Sequence, residues 1–274
     1  MKIGIIGGTG GMGNLFSQVF QKAGHEVLIA GRKTKITKED IARLADVIIV
    51  SVPIRDTIPV INDISPLLRE DQILADLTSI KVGPVHAMLS SHAQVIGFHP
   101  MFGPTVGTIQ GQTIVATPAR CVEENIRFFE DIFTLQGARV TRTTPEEHDR
   151  MMAVIQGLTH FKAILLAGTM RRLGISPADT ELYMSPVYRI ETGIAGRLLS
   201  QNPDLYADIL CLNPSVPSVL ETCEEAAKEI LEMITRGDRN GFTAEFLASR
   251  EWFGPFCDQA QKETDHLIHA MVNQ

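Results

Sequence analysis

The chain has 274 residues, 44% of them hydrophobic and 21% charged, which is typical of a globular protein with one large core or two smaller ones. Its formal net charge of −7 at pH 7 argues against nucleic acid or a membrane surface as the main partner, because both favour an excess of lysine and arginine. The four cysteines are far apart and indicate neither a zinc site nor a disulfide framework. The sequence has no signal-peptide pattern and no run of roughly 18 apolar residues, so we expect a cytoplasmic protein without a bound metal.

Short apolar runs alternate with amphipathic segments in the first half of the chain. The runs are rich in β-branched residues and apolar on both faces, which is typical of parallel strands covered by helices on both sides. They are KIGII (2–6), HEVLIA (25–30), DVIIVSVP (46–53), QILADL (72–77), QVIGF (94–98) and QTIVATP (112–118). Between the second and third runs, Thr37 with Asp40 three residues later predicts a capped helix. The pattern predicts a doubly wound α/β domain.

The pattern changes after the stretch GARVTRTTPEEHD. From Pro145 onward the strand-like runs disappear, and apolar residues keep a helical spacing, as they do from Met151 to Phe161. We therefore predict an α/β protein with an N-terminal doubly wound parallel sheet in residues 1–146 and an all-helical C-terminal domain in residues 147–274.

A glycine-rich turn follows the first strand directly and opens the first helix. Its G-x-G-x-x-G spacing is that of dinucleotide-binding turns: one glycine makes the turn, one lets the backbone approach a pyrophosphate, and one lets helix and strand pack closely. The alternative is a glycine-rich turn without a ligand, but the strand-turn-helix context favours a Rossmann-type domain. The predicted cofactor-binding residues of this turn are Gly8, Thr9, Gly10, Gly11, Met12 and Gly13.

The end of the second strand indicates which dinucleotide is preferred. NAD-binding domains carry an Asp or Glu there, which bonds the ribose 2′-hydroxyl. This chain instead has Arg32 and Lys33, and a guanidinium suits a 2′-phosphate. We favour NADP over NAD as the cofactor, with a solvated pair of loop cations as the alternative.

Polar stretches follow three predicted strands at their carboxyl ends, where ligands of open α/β sheets bind. Ser51, Val52 and Pro53 follow the third strand, and we assign them to the cofactor site. Residues 78–81 follow the fourth strand, and His99 lies in a loop after the fifth. Imidazole is the side chain best suited to accept a hydroxyl proton near neutral pH, so we predict that His99 is catalytic. The alternative is a surface or capping histidine.

The helical half offers two cations for an anionic substrate. Arg189 and Arg197 are eight residues apart, which on a helix separates them by about 80° in direction and about 12 Å along the axis. Two cations on roughly one side of a helix suit a dianion. The alternative is pairing with one of three nearby carboxylates: Glu191, Asp204 or Asp208.

Two histidines flank the apolar face of the first long helix. His148 lies at its start and His160 lies further along it. Both are candidate substrate contacts, and a structural role is equally open for each.

Several stretches, taken in order, resemble the prephenate dehydrogenase family of tyrosine biosynthesis. They are GGTGGMG, VIIVSVPI, DLTSIKVGPVHAML, GFHPMFGP, EEHDRMMAVIQGLTHF, SPVYRIETGIAGRLLSQNPDLYADI and EWFG. The HPMFGP loop and the segment from Tyr188-Arg189 to Gly196-Arg197 are specific to this resemblance, whereas many dehydrogenases share the glycine motif. The resemblance spans nearly the whole chain.

The resemblance implies roles for individual residues. The family's catalytic histidine, which acts on the substrate hydroxyl, matches His99, and its substrate-binding arginine matches Arg197. The Ser and Lys of the preceding strand-end motif match Ser79 and Lys81, which we assign to catalysis and to substrate binding. The resemblance also implies a prephenate substrate and a homodimer built largely through the helical domains.

Together these observations predict a prephenate dehydrogenase that oxidatively decarboxylates prephenate to 4-hydroxyphenylpyruvate, with hydride transfer to NAD(P)+. Because the sequence begins at the first strand and stops soon after the last helix, we expect a monofunctional enzyme. Arogenate dehydrogenase is the alternative within the family. A two-domain dehydrogenase acting on β-hydroxy acids and a non-catalytic NAD(P)-binding sensor also stay open.

Overall fold

The computed structural model describes residues 1–273, which form two compact units. The first unit comprises Met1–Ala153 and Asp204–Ser215, and the second comprises Val154–Pro203 together with the chain from Val216 onward. The first unit therefore includes one short segment from far along the sequence. The predicted domain boundary between residues 146 and 147 stays a prediction.

A seven-stranded sheet forms the centre of the first unit, in the order β2-β1-β3-β4-β5-β6-β7. The strands are β1 (Lys2–Ile6), β2 (Glu26–Ala30), β3 (Val47–Val50), β4 (Ile73–Asp76), β5 (Gln94–Pro100), β6 (Thr113–Arg120) and β7 (Arg139–Arg142). The order proceeds outward from β1 in both directions, which confirms the predicted doubly wound fold. The six predicted runs coincide with β1 to β6. β7 escapes prediction because Val140 is its only apolar residue.

Two strands depart from the predicted parallel sheet, since β6 and β7 run opposite to the parallel strands β1 to β5. β6 runs antiparallel to β5, with His99 opposite Val115, whereas the other neighbouring strands are parallel. The connection from Pro100 to Thr113 contains one short 3-10 turn, Pro104–Val106, and no crossover helix, so the chain turns back on itself. This pairing extends β5 to Pro100. His99 consequently lies within a strand, and the prediction that it lies in a loop is wrong.

Helices cover both faces of this sheet and make up most of the second unit. They are α1 (Gly11–Lys22), α2 (Lys38–Leu44), α3 (Ile54–Ile64), α4 (Val82–Met88), α5 (Glu123–Leu135), α6 (Pro145–Met152), α7 (Thr159–Leu173), α8 (Pro186–Leu199), α9 (Pro203–Leu212), α10 (Val216–Arg236), α11 (Arg239–Phe253) and α12 (Phe256–Val272). The predicted cap of α2 is confirmed, since Thr37 Oγ1 accepts the Asp40 N–H at 3.1 Å and the Asp40 carboxylate accepts the Thr37 N–H at 3.0 Å. A π-helical turn, Ala153–Leu158, lies between α6 and α7.

Five phenylalanines form the centre of the core on one face of the sheet: Phe16, Phe20, Phe98, Phe129 and Phe133. The ring of Phe98 on β5 meets those of Phe129 and Phe133 on α5 edge-on, with centroids 5.0 and 5.4 Å apart. Edge-to-face pairs of this kind contribute about 0.5–1.5 kcal/mol beyond the burial of apolar area. Because Phe98 directly precedes His99, this packing also fixes the carboxyl end of β5.

The second unit is helical, and most of its helix contacts join neighbours in sequence. α7 packs on α8, α10 on α11, and α12 on both α11 and α8. Many large apolar side chains on this unit are exposed, among them Leu182, Tyr183 and Trp252. By length and composition alone, the helical stretch Pro145–Leu173 is apolar enough to cross a membrane, although none of its uninterrupted apolar runs reaches roughly 18 residues. Helices that cover a hydrophobic neighbour in water have the same average composition.

We expect Phe129→Ala to lower the free energy of unfolding by about 3–5 kcal/mol, because it leaves a cavity among fully buried rings. Urea denaturation followed by circular dichroism measures the change. Phe128→Ala is the matched control, since the neighbouring ring is only half-buried and its loss is expected to cost less. Equal losses for the two variants would contradict the central position of Phe129.

Candidate active site

The glycine-rich turn joins β1 to α1. Two of its positions, Gly8 and Gly13, have no room for a side chain. A Cβ on Gly13 would lie 2.5 Å from the carbonyl oxygen of Gly7, and one on Gly8 would lie 2.6 Å from Cγ2 of Ile29. Gly7 has a φ of 86°, and its carbonyl accepts the Gly10 N–H at 2.9 Å. The start of α1 is thereby held against the end of β1, the arrangement in which helix N–H groups face a bound phosphate.

A cleft of about 800 Å³ opens beside this turn, a size that suits a dinucleotide or a similar ligand. Its walls include these predicted cofactor residues: Thr9, Gly10, Arg32, Ser51, Val52 and Pro53. The remaining predicted cofactor residues lie outside the walls. Gly8 and Gly13 are buried under the turn, Met12 packs against the sheet core, and Gly11 and Lys33 are exposed.

A small hydrogen-bonded turn holds Arg32 at the rim of this cleft. Thr34 Oγ1 accepts the Gly31 N–H at 2.8 Å and donates to the Gly31 carbonyl at 2.9 Å, which closes the turn around Arg32 and Lys33. Neither cation forms an ion pair with a carboxylate anywhere in residues 1–273. Lys38 also lines the cleft, but it pairs with Asp63. Arg32 is therefore the cation at the rim whose charge is not already neutralised.

A buried triad lies at the carboxyl end of β5. His99 Nδ1 is 2.9 Å from His148 Nε2, and His148 Nδ1 is 2.7 Å from Asp149 Oδ1. The three side chains are at most 2% exposed. The fold thus brings together two predicted site residues, His99 and His148, and adds Asp149, which sequence reasoning missed. An acid directly after a histidine near a helix start is usually solvated, so the sequence gives little indication of this role.

Three further groups hold Asp149 in place. Its Oδ1 accepts the Lys81 N–H at 2.8 Å and its Oδ2 accepts the Val82 N–H at 2.9 Å, at the start of α4. The side-chain amide of Asn213, just after α9, donates to the Asp149 carbonyl at 2.8 Å. Both carboxylate oxygens therefore act as acceptors, as expected of the ionised form.

Lys81 is fully buried beneath the same strand end. Its ammonium group donates to the Asp76 carboxylate and, at 2.8 Å, to the carbonyl of Phe98. Asp76 Oδ2 also accepts from the N–H and the hydroxyl of Thr78, whereas its Oδ1 has no hydrogen-bond partner within residues 1–273. The prediction that Lys81 binds substrate stays a prediction. In this structure its charge lies in the interior, where it holds the residue that precedes His99.

The surroundings of both triad histidines favour the neutral imidazole. Burial lowers the pKa of His99 well below its usual value, and the neighbouring His148 and Lys81 charges lower it further. Burial also lowers the pKa of His148, although the hydrogen bond to Asp149 opposes this shift. Because a general base has to be unprotonated before it acts, both rings are suited to accept a proton at neutral pH.

The other predicted site residues are distributed over the two units. In the first unit, Ser79 is half-buried in the loop between β4 and α4. In the second unit, His160 is half-buried on α7, and burial lowers its pKa. Among residues 1–273, no group of three or more His, Cys, Asp or Glu side chains is arranged to hold a metal ion.

Arg189 and Arg197 are both exposed on α8 of the second unit. Neither forms an ion pair within residues 1–273. The carboxylates that the sequence offered as partners bind other cations: Glu191 binds Lys162 at 3.4 Å, and Asp204 and Asp208 each bind Arg55 at 3.2 Å. Both guanidinium groups can therefore bind an anion without first breaking an ion pair within residues 1–273.

We expect Lys81→Met to lower the free energy of unfolding by about 3–5 kcal/mol, because it leaves the Asp76 carboxylate buried without a counter-charge. Adding Asp76→Asn to this variant should recover part of the loss, since the amide needs no counter-charge and still accepts from Thr78. Denaturant unfolding of the two single variants and the double variant measures the coupling. A stable Lys81→Met protein with a raised KM for substrate would contradict the structural role and support substrate binding.

Two family models match the chain and together cover most of it. The nucleotide-binding domain of prephenate dehydrogenase matches residues 21–142, and the dimerization domain of prephenate dehydrogenase matches residues 144–248. The boundary between the two matches falls close to the start of α6.

Curated proteins similar to this chain include two that align with nearly all of it. A T-protein of Haemophilus influenzae is 37% identical over 97% of this chain and 71% of its own length. A protein of Methanocaldococcus jannaschii described as a probable arogenate/prephenate dehydrogenase is 34% identical over 100% of this chain. The chain spans 66% of the length of that relative.

The fold is also that of a solved structure. Prephenate dehydrogenase from Aquifex aeolicus, in complex with hydroxyphenyl propionate and NAD+, superposes with a TM-score of 0.74, covering 92% of this chain and 96% of that one at 20% identity. At this level of identity the likeness establishes the fold.

Proposed function

This chain belongs to the prephenate dehydrogenase family, and we propose that it oxidatively decarboxylates prephenate to 4-hydroxyphenylpyruvate with hydride transfer to NAD(P)+. The observation that carries this proposal is the buried His99 at the carboxyl end of β5, held by His148 at 2.9 Å. The strand end that presents His99 continues into a loop that touches the glycine-rich turn. A Cβ on Gly11 would lie 2.8 Å from Cγ of Pro104 in that loop.

The residues of the cleft suit a dinucleotide. The lack of room for a Cβ at Gly8 and Gly13 packs the start of α1 closely against the sheet. The free N–H groups at that helix start would bind the phosphates of the dinucleotide. When bound, the nicotinamide ring would supply the acceptor for the hydride that leaves C4 of the substrate. The protein's own task is to hold the substrate ring in place and to manage the hydroxyl proton.

His99 would manage that proton in two steps. As the hydride leaves C4, the C4–O bond gains double-bond character, and the hydroxyl proton passes to His99 Nε2. Loss of the C1 carboxyl group as CO2 then returns an electron pair to the ring, which becomes aromatic, and the oxygen at C4 takes the proton back. One hydride and one CO2 leave the substrate, and no proton is released. Because aromatisation drives the reaction, His99 has only to accept and return a proton at a fixed position.

Arg197 and Arg189 are the candidate ligands for the substrate carboxylates. Both are exposed and free of ion pairs within residues 1–273, and Arg197 matches the family's substrate-binding arginine. A cation that neutralised the departing carboxylate would stabilise the ground state and slow the loss of CO2, so we assign Arg197 to the pyruvyl carboxylate. His160, Ser79 and Lys81 keep their predicted roles as proposals.

A homodimer in the cytoplasm completes the proposal. The family model that covers residues 144–248 is a dimerization domain, and the unit that contains most of it exposes many large apolar side chains. Apolar surface of this kind is normally covered by a partner. The composition of the Pro145–Leu173 stretch fits a helix of such an interface.

Arogenate is the second candidate substrate, since the Methanocaldococcus jannaschii relative is described as an arogenate/prephenate dehydrogenase. Arogenate carries an amino group where prephenate has a keto group. Both substrates present the same ring hydroxyl and ring carboxylate, so the triad would act on either.

Absorbance of the reduced cofactor, recorded with prephenate or arogenate and with NAD+ or NADP+, tests the proposal. We expect turnover with prephenate and a loss of about 10² or more in kcat for His99→Asn, with cofactor affinity unchanged, because the general base is removed. His86→Asn, an exposed histidine of α4, is the control and should keep full activity. Cofactor binding without turnover of either substrate would instead indicate a sensor.

The preference for NADP rests on Arg32. We expect Arg32→Ala to weaken NADP+ binding by about 10-fold to 100-fold, which corresponds to one charge-assisted hydrogen bond to a 2′-phosphate, and to leave NAD+ binding unchanged. Titration calorimetry with both dinucleotides measures the two affinities. Arg43→Ala, on the exposed side of α2, is the control. Equal effects on NAD+ and NADP+ would remove Arg32 from the 2′-phosphate site.

A further inference from the structure

We infer that His148 and Asp149 are positioning residues that act through His99: they fix the protonation pattern of its ring and take up the charge of the proton that it accepts. This inference rests on the proposed function, in which His99 receives the substrate hydroxyl proton. The residues are joined by two short hydrogen bonds, 2.9 Å between the two rings and 2.7 Å between His148 and Asp149.

The directions of these bonds follow from the chemistry of the end group. An ionised carboxylate has no proton to give, so Asp149 Oδ1 accepts from His148 Nδ1–H. With His148 neutral, its Nε2 carries a lone pair and accepts from His99 Nδ1–H. His99 Nε2 is then the unprotonated nitrogen. Asp149 thus selects, through His148, the tautomer of His99 that can accept a proton at Nε2.

The same arrangement accommodates the accepted proton without breaking either bond. When His99 Nε2 takes the hydroxyl proton, His99 can pass its Nδ1 proton to His148 Nε2, and only the direction of the bond between the rings reverses. His148 then becomes the imidazolium, with Nδ1–H still donated to Asp149. Reversing these transfers returns the proton to the oxygen at C4, so that protons and charges balance over the cycle.

The charges around the triad favour His148 over His99 as the site of the positive charge. The groups that face the triad are Asp149 and His148 on α6, Lys81 before α4, Asp76 on β4 and His99 on β5. The Lys81 ammonium opposes a charge on either ring, whereas the Asp149 carboxylate, 2.7 Å from His148 Nδ1, favours a charge on His148. Since all three triad side chains are almost fully buried, the proton is also kept from bulk water until the ring takes it back.

Asp149 also has a structural role, and the experiment has to separate this role from its effect on the two histidines. Its carboxylate accepts the N–H groups of Lys81 and Val82 and so supports the start of α4. Loss of this support alone would change stability. It would not change the pH at which the hydrogen-bonded pair of His99 and His148 takes up a proton.

Nitrogen NMR of histidine-labelled wild-type protein tests the protonation pattern without any substrate. We expect His99 and His148 both to carry their proton on Nδ1 at neutral pH, whereas free histidine prefers Nε2–H. Signals that disappear in His99→Asn and in His148→Gln assign the two rings. A proton on Nε2 of either neutral ring would overturn the inference, even if turnover of prephenate is observed.

The pH profile of kcat/KM tests whether Asp149 stabilises a positive charge on His148. We expect Asp149→Asn to lower kcat by about 10² and to move the acid limb of the profile to lower pH, because an imidazolium at His148 loses its counter-charge. Glu147→Gln is the matched control, since this exposed carboxylate lies two residues away on α6 and pairs with Arg150. We expect Glu147→Gln to leave both kcat and the acid limb of the pH profile unchanged.

The outcomes distinguish the two proposals. If Asp149→Asn lowers kcat or stability while the acid limb stays in place, Asp149 only supports α4 and the inference is wrong. If no variant and no wild-type protein turns over prephenate or arogenate, the proposed function fails, while the NMR result still decides the tautomers. His148→Gln supplies a second variant that keeps the bonds of Asp149 to α4, and we expect the same loss of kcat without a change in KM.

Discussion

The Asp149 carboxylate is the group on which the rest of the candidate site depends. It accepts two backbone N–H groups at the start of α4 and the ring N–H of His148, and its own carbonyl accepts from Asn213. Three segments, two of them separated by 68 positions in sequence, therefore meet at Asp149. A buried carboxylate is costly unless all its acceptor positions are used. The requirement to satisfy Asp149 thus also fixes where His148 and the strand end that carries His99 can lie.

A second buried charge supports the first. Lys81 contributes its backbone N–H to Asp149 and its ammonium group to Asp76 and to the Phe98 carbonyl. Buried ion pairs of this kind add little net stability, because desolvation offsets most of the attraction, but breaking one leaves an uncompensated charge. Their value here is geometric. The Lys81 ammonium holds the β5 backbone next to His99. Its positive charge adds to the effect of burial and of His148 in lowering the pKa of His99.

Much of the fold of this prephenate dehydrogenase family member is visible in its sequence. β1 to β6, the glycine turn, the cap of α2 and the helical character of the second half all follow from patterns that span a few residues. The candidate site is only partly visible. His99 and His148 emerge as separate candidates, and their contact, the role of Asp149 and the burial of Lys81 do not. The antiparallel return of β6 is also missed, because an apolar β-branched run such as Ile114 to Ala116 has the same composition in either direction.

Sequence by itself determined what depends on neighbours along the chain. The glycine spacing sets the turn between β1 and α1, alternating apolar runs set the strands, and the position of His99 after an apolar run sets its place at the carboxyl edge of the sheet. Only the tertiary structure decided which distant groups meet. The hydrogen bond that the Lys81 N–H donates to Asp149 and the one between His99 and His148 join elements that are far apart in sequence. They form because helix packing on the sheet removes these polar groups from water, so that they have to bond to one another. His99 belongs to the triad because burial at the end of β5 places its ring against His148, and its residue type alone does not predict this contact.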